Sequence, residues 1–352
     1  MISNIFNIYL IILGNLRNDD LLSCIFNSYR NISINNICET YDFDKNKWFN
    51  FIDYVIDHNK IYENKEEIIN RYNIYNDNIK YIESIQQSNS NLTYKLGINK
   101  FTDLTYNEYV SYVKLGFNAK KNNNICKDIT LSYTNLPSSI DWRAKNAVTQ
   151  VKDQGNCGSC WSFSTTGGIE GAYSIKFGSL KSFSEQQLLD CSYSYGNYGC
   201  NGGIMQNAYT YIIKNGITLE SDYPYTATSS INSCNNFEPI TYASSCNNVI
   251  PNELQLTYSV FQKPTSVSIE ADSRSFQHYI SGVYSDPSCG TNLDHGVLAV
   301  GYGTENGVDY WLVKNSWGTT WGESGYIKIL RNSKESSKGL CGIAMDASYI
   351  NI

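Results

Sequence analysis

Apolar positions in the first third of the chain recur at helical spacing. Ile68, Tyr72, Tyr75, Ile79 and Ile82 follow one another at intervals of four and three, which is one face of an α-helix. Glu67 stands ahead of Arg71 at i,i+4, the favourable order for a surface pair. Trp48, Ile52 and Val55 predict a shorter helix before it. Residues 118–135, starting Asn118, Ala119, Lys120, Lys121 and three further Asn, carry neither period. They read as an exposed linker, where proteolytic nicking concentrates. Beyond about Leu136 the texture changes and Gly and Cys become dense. Residues 160–177 predict a helix. Later, Val297, Ala299 and Gly301 alternate with Leu298 and Val300, and residues 310–313 and 326–330 form β-rich runs bounded by Gly. Helices first and strands later predict an α+β body with two lobes. No fixed-period repeat is present.

The apolar patch at residues 5–13, interrupted by Asn7, reads as a secretory leader over 1–14, followed by an extension over 15–44. A buried or disordered N-terminal extension is the alternative. The longest unbroken apolar run, residues 8–13, is far short of the roughly 20 residues that span a bilayer, so no membrane span is expected. The 352 residues are 41% hydrophobic, 17% charged and 14% aromatic, a globular composition. The net charge of −6 argues against a general nucleic-acid surface. Eleven Cys against three His favour disulfides, and hence an oxidising compartment, over several zinc sites. An odd count leaves at least one thiol without an intramolecular partner. Asn31-Ile-Ser and Asn91-Leu-Thr are glycosylation sequons.

The densest chemistry lies in Gln154-Gly-Asn-Cys157-Gly-Ser-Cys160-Trp161, where a Gly-rich loop meets the helix predicted from residue 160. Free N–H groups and the positive end of the dipole at a helix start stabilise a thiolate and lower its pKa from about 8.5. Two further motifs follow: Asp294-His295-Gly296 at the start of a strand, and Lys314-Asn315-Ser316-Trp317-Gly318 at the end of another. A Cys, a His and an Asn supply a nucleophile, a base and an orienter. Read singly, Cys157-x-x-Cys160 is also a redox pair or half a zinc site, though no second Cys-x-x-Cys exists to complete one.

Together these residues resemble the papain-like cysteine peptidases, in which Cys-Gly-(Ser/Ala)-Cys-(Trp/Tyr) precedes a His and an Asn by roughly 130–150 residues. His295 falls inside that window and Asn315 just beyond it. The resemblance spans about residues 45–352. It implies an α+β, two-lobed fold, with a helical left lobe and a β-barrel-like right lobe, behind a mainly helical propeptide domain. It implies that Cys160 attacks the scissile carbonyl, that His295 pairs with it and protonates the leaving amine, and that Asn315 holds the imidazole under the screen of Trp317. Gln154 would be the oxyanion donor, a role worth about 2.7–4 kcal/mol where such a donor has been removed.

By the same resemblance Cys157 pairs with Cys200, Cys191 with Cys234 and Cys289 with Cys341. Cys246 is then left over, and Cys24, Cys38 and Cys126 have no assigned partners. Gly202 and Gly203 resemble the family's substrate-binding wall, where a peptide pairs as an extended strand. Met205, Ser268, Leu293, Gly296 and Asp346 resemble the pocket for the side chain two residues before the cut, next to Asp294 of the His motif. Asp346 at its base would accept Arg or Lys; a solvent-facing Asp346 is the alternative.

Glu67, Arg71, Tyr75, Asn78 and Ile82 are similar to the interspersed propeptide pattern of the family, with Tyr75 for the usual Phe. Gly97, Asn99, Phe101 and Asp103 match its companion pattern. They imply an inhibitory propeptide over 45–118, loosened by acid through carboxylates such as Asp103. A linker over 119–135 would carry the processing site near Asn135, followed by a mature domain over 136–352. The expected protein is the zymogen of an endopeptidase, secreted or lysosomal and monomeric. It would act on polypeptides, be inhibited by its own propeptide and by cystatin-type inhibitors, and use no cofactor and no metal. An aminopeptidase of the same family and a non-proteolytic redox or binding homologue are the rival readings.

Overall fold

The computed structural model describes residues 45–88, 91–114, 125–229, 234–331 and 338–352. The leader, the extension with Asn31, Cys24 and Cys38, and residues 115–124 of the linker region lie outside the described residues. The chain divides into two compact units.

In the described part of the smaller unit, residues 45–84 and 100–105, two helices pack on each other. Helix α1 (Lys45–Asp57) buries Trp48, Phe51, Tyr54 and Val55. Helix α2 (Lys65–Ser88, its residues to Ser84 in this unit) buries Ile68, Tyr75, Asn78 and Ile82. Tyr72 is half-buried and stacks on Trp48 at 3.9 Å between ring centroids. The start of α2 is closed from both sides: the Asn64 side chain accepts from the Glu67 N–H, and the Glu67 carboxylate accepts from the Glu63 N–H. The first bond satisfies one of the donors a helix start leaves open, and the second ties in the residue before the cap. The polar members of the propeptide pattern hold the following loop. Arg71 donates to the Asp103 carbonyl at 3.1 Å, and Asn78 donates to the carbonyls of Thr102 and Leu104, both at 2.9 Å. The buried Asp103 carboxylate accepts from Tyr54, Lys60 and Tyr62.

The larger unit, residues 85–99 and 106–352, contains helices α4 (Cys160–Phe177), α5 (Glu185–Cys191) and α6 (Met205–Asn215). They close on Trp161, Phe183, Leu188, Leu189, Tyr209 and Ile212. Beside them lies a ten-stranded sheet of β1 (Tyr94–Leu96), β2 (Lys127–Ile129), β3 (Ile140–Asp141), β4 (Ser245–Val249), β5 (Thr265–Ile269), β6 (Tyr279–Tyr284), β7 (His295–Glu305), β8 (Val308–Lys314), β9 (Tyr326–Leu330) and β10 (Ala347–Asn351). Their order is β1-β6-β9-β8-β7-β5-β10-β4-β2, with β3 on β7. Pairing is antiparallel except at β6–β9 and β2–β4. The β7–β8 hairpin turns on Asn306-Gly307, both at positive φ, as a two-residue turn requires. The alternation read in residues 297–301 does not mark a half-solvated strand, because β7 is buried on both faces over residues 295–303. Helix α3 (Tyr106–Lys114), α7 (Glu253–Gln262) and the one-turn α8 (Arg274–Gln277) complete the unit.

The three disulfides implied by resemblance are formed, and a fourth joins Cys126 to Cys246. Among the described residues the one free cysteine is Cys160. No described helix is long and apolar enough to cross a membrane.

Candidate active site

Cys160 is the first residue of α4. The loop before it is pinned at several points. The Gln154 N–H donates to the Ser316 carbonyl, Tyr225 donates to the Gln154 carbonyl, and the Cys157–Cys200 bond ties the loop to the segment carrying Gly202 and Gly203. The thiol is fully buried, and the Gly296 N–H donates to its sulfur at 3.3 Å. Since Gly296 directly follows His295, this bond brings the start of β7 to the thiol.

The imidazole is held at one nitrogen and covered on one face. Its Nε2 meets Asn315 Oδ1 at 2.8 Å, and the same oxygen accepts from the Ser316 N–H. Nδ1 is then the nitrogen left for proton exchange with the thiol. Trp317 stacks on the ring at 4.6 Å and is itself edged by Trp321 and Phe276. Gln154, six residues before the thiol, is buried. Its Nε2 donates to the Cys157 carbonyl and its Oε1 accepts from Ser316 Oγ. Ser316, which the motif contains without an assigned role, thus braces both Gln154 and Asn315.

Helix α3 covers this ground. Tyr109 and Tyr112 set their rings edge-on to Trp317 at 6.0 and 6.1 Å, and the buried Tyr109 hydroxyl donates to the Ala271 carbonyl at 2.6 Å. The chain before α3 adds β1 to the sheet edge at β6, and Asn99 donates to the Gln277 carbonyl at 2.8 Å. Gly97 packs closely there: a Cβ would come within 2.7 Å of the Ile280 side chain. Neither tyrosine is marked by the sequence patterns.

This burial reverses one expectation for the proform. The helix start was expected to lower the thiol pKa. Desolvation instead pushes the Cys160 thiol up to about 12, against the pull of the N–H donors of Gly296, Trp161 and Cys160 itself. Desolvation likewise pushes His295 down to about 4, opposed by its bond to Asn315. Both shifts favour the uncharged form of each group while the site is covered.

The pocket residues gather beside Gly296. Ser268 lies opposite Gly296 in the β5–β7 register, and the Met205 sulfur lies 3.2 Å from where a Gly296 Cβ would stand. Leu293 is half-buried against Gly342. Asp346 is held rather than loose: Ser268 Oγ donates to one oxygen at 2.8 Å and Gln206 Nε2 to the other at 2.9 Å. Asp294 accepts from the Ala271 N–H, which fixes the turn into His295. Gly203 packs so closely on Trp161 that a Cβ would meet it at 2.8 Å. Behind the site Lys152 bridges Glu170 and Glu185, beside Lys314 of the Asn motif, an ionic cluster that spacing along the sequence did not signal. Asn91 is exposed, as a sequon acceptor must be. Among the described residues no group of three or more His, Cys, Asp and Glu is placed to hold a metal ion.

Comparison with known proteins agrees with this geometry. A family model described as "Papain family cysteine protease" matches residues 136–351, and one described as "Cathepsin propeptide inhibitor domain (I29)" matches residues 51–109. Germination-specific cysteine protease 1 of Arabidopsis thaliana is 49% identical over 270 residues, covering 73% of this chain and 70% of the relative. Cathepsin L1 of Drosophila melanogaster is 48% identical over 274 residues, covering 73% and 72%. Probable cysteine protease RD21B of Arabidopsis thaliana is 52% identical over 264 residues, but the match spans only 56% of its length. Among solved structures, digestive procathepsin L 3 of Tenebrio molitor larval midgut has a TM-score of 0.79 at 40% identity, covering 87% of this chain and 99% of that one. Recombinant stem bromelain precursor has a TM-score of 0.78 at 37% identity, covering 87% and 99%.

Proposed function

Because this chain belongs to the papain family of cysteine proteases and is the proform of a cathepsin L-like, cysteine-type endopeptidase, we propose that Cys160, His295 and Asn315 carry its chemistry. The chain carries its own inhibitor domain, and polypeptides are its substrates. The observation behind the assignment is the meeting at one buried sulfur of three motifs distant in sequence. Gly296 bonds to Cys160, and the neighbouring His295 is fixed by Asn315.

Once α3 leaves, water and substrate reach the pair. The thiol gives its proton to His295 Nδ1, and the thiolate attacks the scissile carbonyl carbon. The Gln154 amide and the Cys160 N–H stabilise the oxyanion. The tetrahedral intermediate collapses as the imidazolium protonates the leaving amine, leaving an acyl-enzyme. Water, deprotonated by His295, then attacks the thioester, and the acid product leaves as the thiol is regenerated. Replacing Cys160 with Ser in the processed enzyme tests the assignment: covalent labelling by a thiol-directed epoxide should vanish together with peptidase activity. Persistent labelling or activity would contradict it.

The pocket beside Gly296 takes apolar side chains and, through Asp346, Arg or Lys. The support is a carboxylate fixed by Ser268 and Gln206 beside Met205 rather than turned to solvent. Asp346→Ala should lower kcat/KM for Arg substrates at least about tenfold relative to Leu substrates, a difference of 1.4 kcal/mol; an unchanged ratio contradicts the reading. Endopeptidase specificity fits a body over 136–352 whose His residues are His278 and His295, with no paired-His loop to grip a carboxy terminus. We further infer a secretory or lysosomal location, supported by four disulfides, glycosylation at Asn91, a monomeric enzyme, and cystatin-type inhibitors as competitors for the open cleft.

A further inference from the structure

The Cys126–Cys246 bond joins segments 120 residues apart and belongs to none of the motifs above. Cys126 lies after the inhibitor match ends at 109 and before the peptidase match begins at 136. The residues that follow it are built into the peptidase sheet. Strand β2 pairs in parallel with β4 through Lys127, Asp128 and Ile129. The Gln255 side chain clamps the next buried residue, accepting from the Leu131 N–H at 2.7 Å and donating to its carbonyl at 3.1 Å. The Tyr133 ring packs on Tyr258 and Phe261 at 5.5 and 5.3 Å. Without this segment β4 would be an open sheet edge. Thr134 and Asn135, by contrast, are exposed and outside any regular element.

We propose that residues 126–133 stay with the mature enzyme as a disulfide-held strap that closes the sheet edge at β4. Trimming of the N-terminal third then does not yield a peptidase that starts cleanly at Leu136. A cut between Tyr133 and Leu136, together with a second cut ahead of Cys126, leaves the strap as a short second chain bonded through Cys126 to Cys246. A cut ahead of Cys126 leaves it as the enzyme's own N-terminus. The strap is retained in both cases, whatever the substrate preference of the site.

The test uses the full proform, processed at acid pH or by a trace of added protease. Active molecules are captured through a tagged epoxide on Cys160, alkylated without reduction and mapped by mass spectrometry. The strap account expects the Cys126 peptide linked to the Cys246 peptide in the captured enzyme, separating on reduction. Captured enzyme that lacks residues 126–133, with Cys246 alkylated before reduction, overturns it. The Cys126→Ser/Cys246→Ser double variant should show thermal inactivation faster by at least about threefold; inactivation at the wild-type rate overturns the edge-closing role. If that variant does not fold, the wild-type map still decides retention.

Discussion

At the scale of single residues, the same sulfur has two environments. In the proform it is desolvated and its pKa stands near 12. In the processed enzyme, water and the Gly296, Trp161 and Cys160 N–H donors are left to stabilise the thiolate, so the pKa should fall. The pH profile of alkylation by iodoacetamide checks this. The processed enzyme should react fully at neutral pH, and an alkylation midpoint still above pH 9 would contradict the reading. Gln154 offers a second test. Its side chain is already oriented by Ser316, so Gln154→Ala should lower kcat about 10²–10³-fold with a smaller change in KM. The meeting of Cys160, His295 and Asn315 was legible in the sequence because each sits in a motif with local meaning. Ser316 as a brace and the Lys152 cluster were not. Their roles depend on which strands become neighbours, and no local spacing encodes that.

At the scale of elements, α3 is the helix whose rings reach Trp317, and the sequence pattern passed it over. The pattern residues Arg71, Asn78 and Asp103 serve the inside of the smaller unit. Tyr109 and Tyr112 are the side chains that meet Trp317. Tyr109→Ala removes a buried ring and the hydroxyl bonded to the Ala271 carbonyl. A loss of about 3–5 kcal/mol, the usual cost of truncating a buried aromatic ring, would weaken inhibition by the isolated segment over 45–114 more than 100-fold. Inhibition titrations of processed enzyme with wild-type and variant segments measure this, and equal inhibition constants would rule out the role given to α3. Helix α4 and strand β9 matched the expected 160–177 and 326–330, since each is bounded by Gly and by a strong change of pattern. Strand β2 and its disulfide escaped notice. A three-residue strand inside an Asn-rich linker has no periodicity to read, and cysteine spacing alone does not fix a partner.

At the scale of the whole molecule, acid acts through two buried imidazoles. His295 and His278 are both buried and held well below the ordinary imidazole range, His295 to about 4 and His278 to about 3, in each case by desolvation first. An unfolded chain takes up these protons near pH 6.5, whereas the folded proform takes up the His295 proton only near pH 4. The stability from each is therefore complete above pH 6.5 and declines as pH falls below it, by about 1.4 kcal/mol per pH unit for each group. The melting temperature of the proform should drop between pH 6.5 and 4, and the drop should be shallower in His278→Gln. Equal slopes in variant and wild type would exclude His278 as a contributor. The change of texture near residue 136 coincides with the start of the peptidase match, not with the division into two units, which falls at residues 84 and 105. The allotment of residues 85–99 and 106–114 to the larger unit was not legible in the sequence, because that allotment depends on tertiary pairing such as β1 with β6.

The most direct measurement is the stoichiometry of iodoacetamide on Cys160 at neutral pH, followed by mass spectrometry in one preparation before and after removal of the N-terminal segment. The account predicts almost no label on the proform and one label per molecule, on Cys160, after processing, with activity lost in proportion. Equal labelling of both forms, or a processed enzyme that stays active with Cys160 unlabelled, would contradict it.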